Sequence, residues 1–379
     1  MATKIPASWM RGGSSKGVFF LDGDLPQNLM ARESLLLRIL GTHSSGLAQN
    51  DGIGGASSNA SQVAIIKKSA RTDCDVDYIF GAVPIYLTDQ TMRIDWTRNC
   101  TNLTAAVASF AVSQGLAPAT VGDTKVRIWQ VNLGKRIDAY LPADLHADAQ
   151  IRLEFLDPVD GYLLPTGSPK DWLDIPGLGK IEASFINMDR PIVFVRADPL
   201  GMHGREFLSK QKTLSKQPNK LARKKNQVDH LRAVCTHAAV AMGLAHDIRE
   251  AAANPALLPV LCWLDKPAAY KTVAYGPLTG DDVPADAIDI LAHHFSPAAE
   301  QTEFDGSISM GLGLAAAIPG TVANEMARTL PGIATRIGHA LGILTVGAEV
   351  SQDGNLWRVE KIMITRSARC LMSGWAHLP

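Results

Sequence analysis

Cys100 is the side chain in this sequence best placed to do chemistry. It stands in the polar turn Asn99-Cys100-Thr101-Asn102, directly before Leu103-Thr-Ala-Ala-Val-Ala-Ser-Phe-Ala-Val112. That run is apolar on every side, the pattern of a helix buried in a core. The first turn of a helix carries unpaired N–H groups and the positive end of the dipole. A thiol there is biased toward thiolate, which acts as a base or a nucleophile. The neighbouring N–H groups can hold a carboxylate or an enolate. The alternative is a plain buried cysteine with Asn and Thr as caps.

Three other turns could complete such a site. Met10-Arg-Gly-Gly-Ser-Ser-Lys-Gly17 leads into the strand-like Val18-Phe19-Phe20, and its glycines allow close backbone approach. Asp51 to Gln62 is a long loop of small residues before Val63-Ala-Ile-Ile66. It lacks Gly-Lys-Ser/Thr and the Gly-x-Gly-x-x-Gly spacing, so it is neither a phosphate loop nor a dinucleotide fingerprint. Asp305-Gly306-Ser307 opens a second small, apolar helix over Ile308 to Ile318. Two buried helices, each entered from a small polar turn, suggest two similar halves with their helix N-termini at one cleft. No strong residue-level repeat is visible.

The elements that must hold these turns are mixed. Helices are expected at Ser34 to Leu40 and Leu231 to Gly243. Strands are expected at Val76 to Phe80, Val83 to Leu87, Met92 to Trp96, Lys125 to Gln130, Arg136 to Leu141, Ala183 to Asn187, Ile192 to Arg196 and Leu258 to Trp263. This is α+β with many antiparallel candidates, without regular βαβ alternation.

At 379 residues and 46% apolar content the chain can build two sizeable domains. Its 37 basic and 37 acidic side chains cancel, which removes any global electrostatic case for nucleic acid or membrane partners. No apolar run approaches the ~20 residues of a membrane span, and the first residues lack the apolar core of a signal peptide. The five cysteines are odd in number and scattered, without a Cys-x-x-Cys pair. Reduced thiols in a cytosolic-type compartment are expected, with the sequons at Asn59, Asn99 and Asn102 unused. The seven Lys/Arg of Lys210 to Lys225 read as a solvated helix or loop. His293-His294, Asp229-His230 and Cys235-x-His237 do not make a metal pattern.

The turns also carry a resemblance. Met10 to Phe20 resembles the opening signature of the PrpF family, the 2-methylaconitate cis-trans isomerases with their methylitaconate, oxalomesaconate and aconitate Δ-isomerase relatives. Further matches are Asp51-Gly-Ile-Gly-Gly-Ala56, Asp75-Val-Asp-Tyr-Ile-Phe-Gly81, Asn99-Cys100, Asn102-Leu103, Val126 to Gln130, Leu164-Pro-Thr-Gly167, Ala315 to Thr321 and Thr365 to Met372. They follow one order over nearly the whole chain. The resemblance implies the diaminopimelate-epimerase-like fold, with two pseudo-symmetric domains that each wrap a barrel-like sheet around a central helix. It implies domains at 1–148 and 149–365, with 366–379 returning to the first, and an active site between them. It implies a small-molecule substrate, proton transfer across an allylic system in an unsaturated carboxylic acid, no cofactor, no metal and a possible homodimer.

The departures from the family fall on the expected site. Where the family has Ser-Lys-Val, with the lysine a principal acid/base, this chain has Ser61-Gln62-Val63, and an amide cannot exchange a proton near pH 7. Cys-Gly-Asn becomes Cys100-Thr101-Asn102. The second helix entry becomes Gln301 to Ser307, which adds Phe304 and Asp305. Gly-His-Pro-Ser-Gly becomes Gly338-His339-Ala340-Leu341-Gly342, and Asn-Ala-Gly-x-Pro becomes Asn187-Met188-Asp189-Arg190-Pro191. The expected catalytic residues are therefore Cys100, Gln62 as a hydrogen-bond donor, Asp305 and His339. The expected substrate contacts are Ser14, Ser15, Lys16, Asn59, Ser61, Asn99, Thr101, Asn102, Thr166, Ser168, Met188, Gly306, Ser307 and Leu341. Two other readings stay open. One is a scaffold reused for a cyclisation or pericyclic step in secondary metabolism, in a pocket made more apolar by Met188, Phe304 and Leu341. The other is a non-catalytic binding protein.

Overall fold

The computed structural model describes residues 4–41, 52–54, 61–83, 93–120, 122–143, 150–159, 161–202, 218–272, 280–297, 306–328, 332–354 and 356–378. The chain forms two compact units, Met1–Leu156 with Thr365–Pro379, and Asp157–Ile364. In the first, β1 (Lys4–Gly12) and β2 (Ser15–Leu21) precede α1 (Leu29–Leu40). Then come β3 (Gln62–Lys68), β4 (Val76–Ala82), α2 (Thr101–Ser113), β5 (Thr124–Gln130), β6 (Lys135–Leu141) and β7 (Gln150–Leu156). In the second, β8 (Asp171–Ile175), β9 (Gly179–Ile186) and β10 (Ile192–Arg196) precede α3 (Pro218–Ala241) and α4 (Ile248–Ala253). They are followed by β11 (Val260–Asp265), the short β12 (Tyr270–Lys271) and β13 (Asp282–Val283), and β14 (Ile290–Phe295). The unit continues with α5 (Gly306–Ala317), α6 (Val322–Met326), β15 (Thr335–His339) and β16 (Gly342–Asp353). The long β17 (Leu356–His377) belongs to the second unit up to Ile364 and to the first from Thr365.

The two units repeat one pairing sequence. From β1 to β7 the neighbours run antiparallel, parallel, antiparallel, parallel, antiparallel, antiparallel. From β9 through β10, β11, β14, β15 and β16 to β17 they run the same way. A parallel pair needs a crossover, usually helical. Accordingly α1 and α3 bridge the first parallel step of each unit, and α2 and α5 bridge the second. In the first unit β17 follows β7 in the hydrogen-bonded order and also pairs with β1, so eight strands make a closed ring.

A residue-level repeat accompanies the topological one. The Asp75 carboxylate accepts the Arg127 backbone N–H at 2.8 Å and its guanidinium at 2.8 and 3.2 Å, which fixes β4 against β5. The Asp289 carboxylate accepts the Arg336 backbone N–H at 2.7 Å and its guanidinium at 2.7 and 3.2 Å, which fixes β14 against β15. Each carboxylate sits one residue before its strand, so both clamps set a parallel register.

Helix α2 is buried on every face, from Thr101 and Leu103 through Phe110 and Ala111, and packs on β1, β2 and β6. Helix α5 is buried over Ile308 to Ala316. Its small residues are required: a Cβ on Gly311 would lie 2.5 Å from Ile192 Cδ1, and one on Gly313 would lie 2.3 Å from Val346 Cγ1. Helix α3 begins earlier than its apolar periodicity suggested. Leu231, Val234, Cys235, Ala238 and Ala239 face the core beneath β8 to β11, and burial pushes the thiols of Cys235 and Cys262 well above the ordinary range.

Of Met92 to Trp96, expected as a strand, Met92 lies outside the described residues, and residues 93–96 make a single bridge, Ala82 to Asp95. The Asp95 carboxylate instead binds the Thr97 N–H and the Arg98 guanidinium, which turns the chain toward α2. The strand expected at Val83 to Leu87 lies outside the described residues after Val83. No helix among the described residues is long and apolar enough to cross a membrane.

Candidate active site

Cys100 is the N-cap of α2, with an extended backbone at φ −106° and ψ 102°. Its sulfur accepts the Leu103 N–H at 3.4 Å, the contact that a Ser or Asp side chain makes at most helix starts. Its thiol donates to Ser15 Oγ at 3.4 Å. A neutral sulfur is a weak acceptor, so this capping position gains strength when the sulfur carries charge.

The β1–β2 turn lies on the same helix start. A Cβ on Gly12 would stand 2.4 Å from the Asn102 carbonyl oxygen, and Gly13 holds φ +52° against the Asn102 side chain. The Asn102 amide donates to Ser14 Oγ at 3.1 Å. Its Oδ1 accepts Arg366 Nε at 2.8 Å. Arg11 ties the turn to β17 by donating to Gly13 O at 3.1 Å and Ser367 Oγ at 2.9 Å. Thr101 is buried, and Asn99 Oδ1 accepts the Thr104 hydroxyl at 3.2 Å.

Gln62 opens β3 beside this start, since a Cβ on Gly17 would touch both Gln62 O and the Leu103 side chain. Its Oε1 is buried and has no hydrogen-bond partner among the described residues. The orphaned atom is an acceptor, whereas the sequence makes Gln62 a donor; a half-turn of the amide exchanges the two. A buried unsatisfied carbonyl costs about 1–3 kcal/mol. Ser61 is fully buried and its carbonyl accepts the Val83 N–H at 3.0 Å. Lys16 is exposed, because strand alternation turns Ser15 and Gly17 inward and Lys16 outward. Asn59 lies outside the described residues.

Two residues that the sequence reading did not single out belong to this cluster. Arg366 is 5% exposed. Burial lowers its guanidinium to about 10, and charge on Cys100 raises it again, so it remains a cation at neutral pH. Tyr78 is fully buried, and burial, with charge on Cys100 adding to it, pushes its hydroxyl well above 10. Both lie inside motifs quoted for the family resemblance, which is the signal that could have marked them.

In the second unit, Gly306 and Ser307 begin α5, and Ser307 Oγ donates to the Asp189 carboxylate at 2.8 Å. Met188 sits beside the helix, its sulfur 3.5 Å from where a Gly311 Cβ would be. Asp305 lies outside the described residues. Thr166 and Ser168 are not at this helix start. The Thr166 hydroxyl donates to Asp171 at 2.6 Å, and the next residue along, Pro169, packs on Gly320 beyond the far end of α5. His339 is buried at the end of β15. Its N–H donates to Tyr270 Oη at 3.0 Å and its Nδ1 accepts the Leu341 N–H at 3.3 Å, which leaves the proton of a neutral ring on Nε2. Leu341 is half-buried in that turn.

With this geometry in place, comparison with known proteins decides the family. The sequence model of the PrpF protein family matches residues 2–379. The chain belongs to the PrpF family. A 2-methyl-aconitate isomerase of Shewanella oneidensis is 36% identical over 405 aligned positions, covering 99% of this chain and 97% of that protein. The crystal structure of a methylitaconate-delta-isomerase superposes with a TM-score of 0.79 at 28% identity, over all of this chain and 96% of the other. This PrpF-family chain is an isomerase, and its fold is the diaminopimelate-epimerase-like α+β fold. A hydroxyproline epimerase of Agrobacterium vitis, at 12% identity and a TM-score of 0.51 over the whole of this chain and 94% of its own, shares that fold alone.

Proposed function

We propose that this PrpF-family isomerase moves a proton across the allylic system of an unsaturated carboxylic acid, with Cys100 as the base. The observation that carries the reading is the Cys100 sulfur at the N-cap of buried α2, bonded to the Leu103 N–H and accompanied by buried Arg366. The thiolate takes a proton from the carbon next to the double bond. The electron pair spreads over the allylic carbons and the carboxylate as a dienolate, and the N–H groups of the first helical turn stabilise the developing charge. The thiol thus formed returns the proton to the other end of the allylic system. The double bond shifts or changes geometry without change of oxidation state, so the chemistry requires no redox cofactor. Gln62, in place of the family lysine, holds a substrate oxygen and leaves the proton work to Cys100.

The test is turnover of a panel of aconitate-, methylaconitate- and itaconate-type acids, followed by proton NMR. Wild type isomerises at least one, and Cys100→Ala loses about 10²–10⁴-fold, the range of a general acid/base. Gln62 favours one second reading, a cyclisation or rearrangement that needs a shaped pocket and no lysine. That reading prevails if wild type is inactive on the whole panel while Gln62→Lys gains activity.

A further inference from the structure

We propose that Arg366 is a positioning residue that keeps Cys100 ionised and fixes the start of α2 around it. This rests on Cys100 being the working base. Arg366 reaches α2 from β17, 264 positions along the chain from Asn102, and donates Nε to Asn102 Oδ1 at 2.8 Å. Its Nη1 donates to the Thr365 carbonyl at 2.9 Å, so the guanidinium is anchored to its own strand as well. Asn102 passes the constraint on through its amide to Ser14 at 3.1 Å, and Ser15 next to it touches the Cys100 sulfur at 3.4 Å. A cation 5% exposed is held in the first turn of the helix whose N-cap is the thiol. Burial disfavours a lone charge, and a thiolate within reach offsets that cost. The attraction is reciprocal: a charged Cys100 strengthens the hold of Arg366 on its proton, so each charge favours the other.

Among the described residues, the other titratable groups around the helix start are a neutral tyrosine and side chains bonded elsewhere or turned to solvent. From β4, Tyr78 stays neutral because burial raises it well above 10. Arg11 binds Gly13 and Ser367, and Lys16 faces outward. On the approach to α2, Asp95 and Arg98 pair with each other at 2.7 Å, and α2 has no acidic residue in its first turn. Helix start and guanidinium therefore act on the sulfur in the same direction.

The experiment is iodoacetamide alkylation of the full-length protein across pH, with the Cys100 peptide quantified by mass spectrometry and no substrate present. Wild-type Cys100 titrates at least about one unit below the ~8.5 of a free thiol. Arg366→Gln raises the midpoint by about a unit or more and slows alkylation at pH 7 about tenfold. Arg366→Lys restores most of the shift, because it restores charge without the fork geometry. Asn102→Ala, which cuts the Nε contact and keeps the charge, shifts the midpoint less than Arg366→Gln. A wild-type midpoint at or above 8.5, or equal midpoints in wild type and Arg366→Gln, overturns the proposal. If Arg366→Gln does not fold, Asn102→Ala decides: its midpoint rises above that of wild type, and an unchanged midpoint overturns the proposal. Turnover is read separately: loss of the isomerase reading leaves this titration unchanged, and an ordinary thiol in a Cys100-dependent enzyme removes only the role of Arg366.

Discussion

Replacing Gly12 by alanine tests whether the β1–β2 turn must lie directly on the start of α2. The new Cβ would stand 2.4 Å from the Asn102 carbonyl oxygen and 2.9 Å from Leu103 Cα, both backbone atoms of a buried helix that cannot rotate away. Even a tight Cβ contact needs about 3.0 Å, so turn and helix must separate by roughly 0.6 Å or more. That shift acts on the Ser15–Cys100 contact at 3.4 Å and on the Ser14–Asn102 bond at 3.1 Å, the latter already toward the long end of its range. Overpacking of this kind costs about 1–3 kcal/mol, and a misplacement approaching 1 Å at a reacting group costs up to ~10²-fold in rate. Thermal and urea unfolding give the first quantity, and turnover of the best acid from the panel gives the second. Gly374→Ala, in β17 opposite Ala7 with nothing within 4 Å of the new methyl, is the control and is expected to be neutral or slightly stabilising. A Gly12→Ala protein with wild-type stability and wild-type turnover would refute the close packing of turn on helix.

Other predictions follow from charge and burial. The Arg127 clamp holds the Asp75 carboxyl below its usual range, and at Asp289 the Arg336 bonds outweigh the burial that pushes it up. A carboxylate lowered in the folded state stabilises fully above its unfolded value near 3.9 and ceases to do so as pH falls through the folded value. Urea midpoints of wild type should therefore drop below about pH 4, with a shallower drop in Asp75→Asn and Asp289→Asn, which are each less stable at pH 7 by about 1–3 kcal/mol. Burial lowers His293, stacked on Trp263 with ring centroids 5.3 Å apart, to about 4. The unfolded ring takes up a proton below about 6.5 and the folded ring does not, so stability falls by about 3 kcal/mol as pH drops from 6.5 to 4. In His293→Phe that slope should vanish, and an unchanged slope would place the titration elsewhere. Gly313→Ala should destabilise the chain by about 1–3 kcal/mol in urea, since its methyl would meet Val346 Cγ1 at 2.3 Å.

Much of this architecture is legible in the sequence where the signal is local. The all-round apolar run after Asn99-Cys100 marks a buried helix and places a thiol at its start, and the structure puts the sulfur at the N-cap. The duplication is hidden because it rests on pairs distant along the chain. Asp75 and Arg127 are 52 positions apart, and Asp289 and Arg336 are 47 apart, and the shared Asp-Val/Asp-Ile and Arg-Ile pairs are too short to stand out. Arg366 carries no local signal beyond its place in a family motif: its partner is Asn102, 264 positions away. Lys16 is a case where strand position sets exposure. Its charge and its place in a glycine-rich turn attract attention, but β2 begins at Ser15, and the period of two sends the lysine to solvent. Thr166 stands in a family motif, and its hydroxyl is used to hold a turn through Asp171.

The central claim is that Cys100 carries the proton in an allylic shift. The most direct measurement is deuterium wash-in at the allylic carbon, followed by NMR as the purified protein acts on its best unsaturated acid in deuterated water. Wild type should exchange at a rate tied to isomerisation, with some protium carried from one allylic position to the other by the same sulfur, and Cys100→Ala should show no exchange above background. Exchange by Cys100→Ala at the wild-type rate, or isomerisation by wild type with neither wash-in nor internal proton transfer, would contradict it.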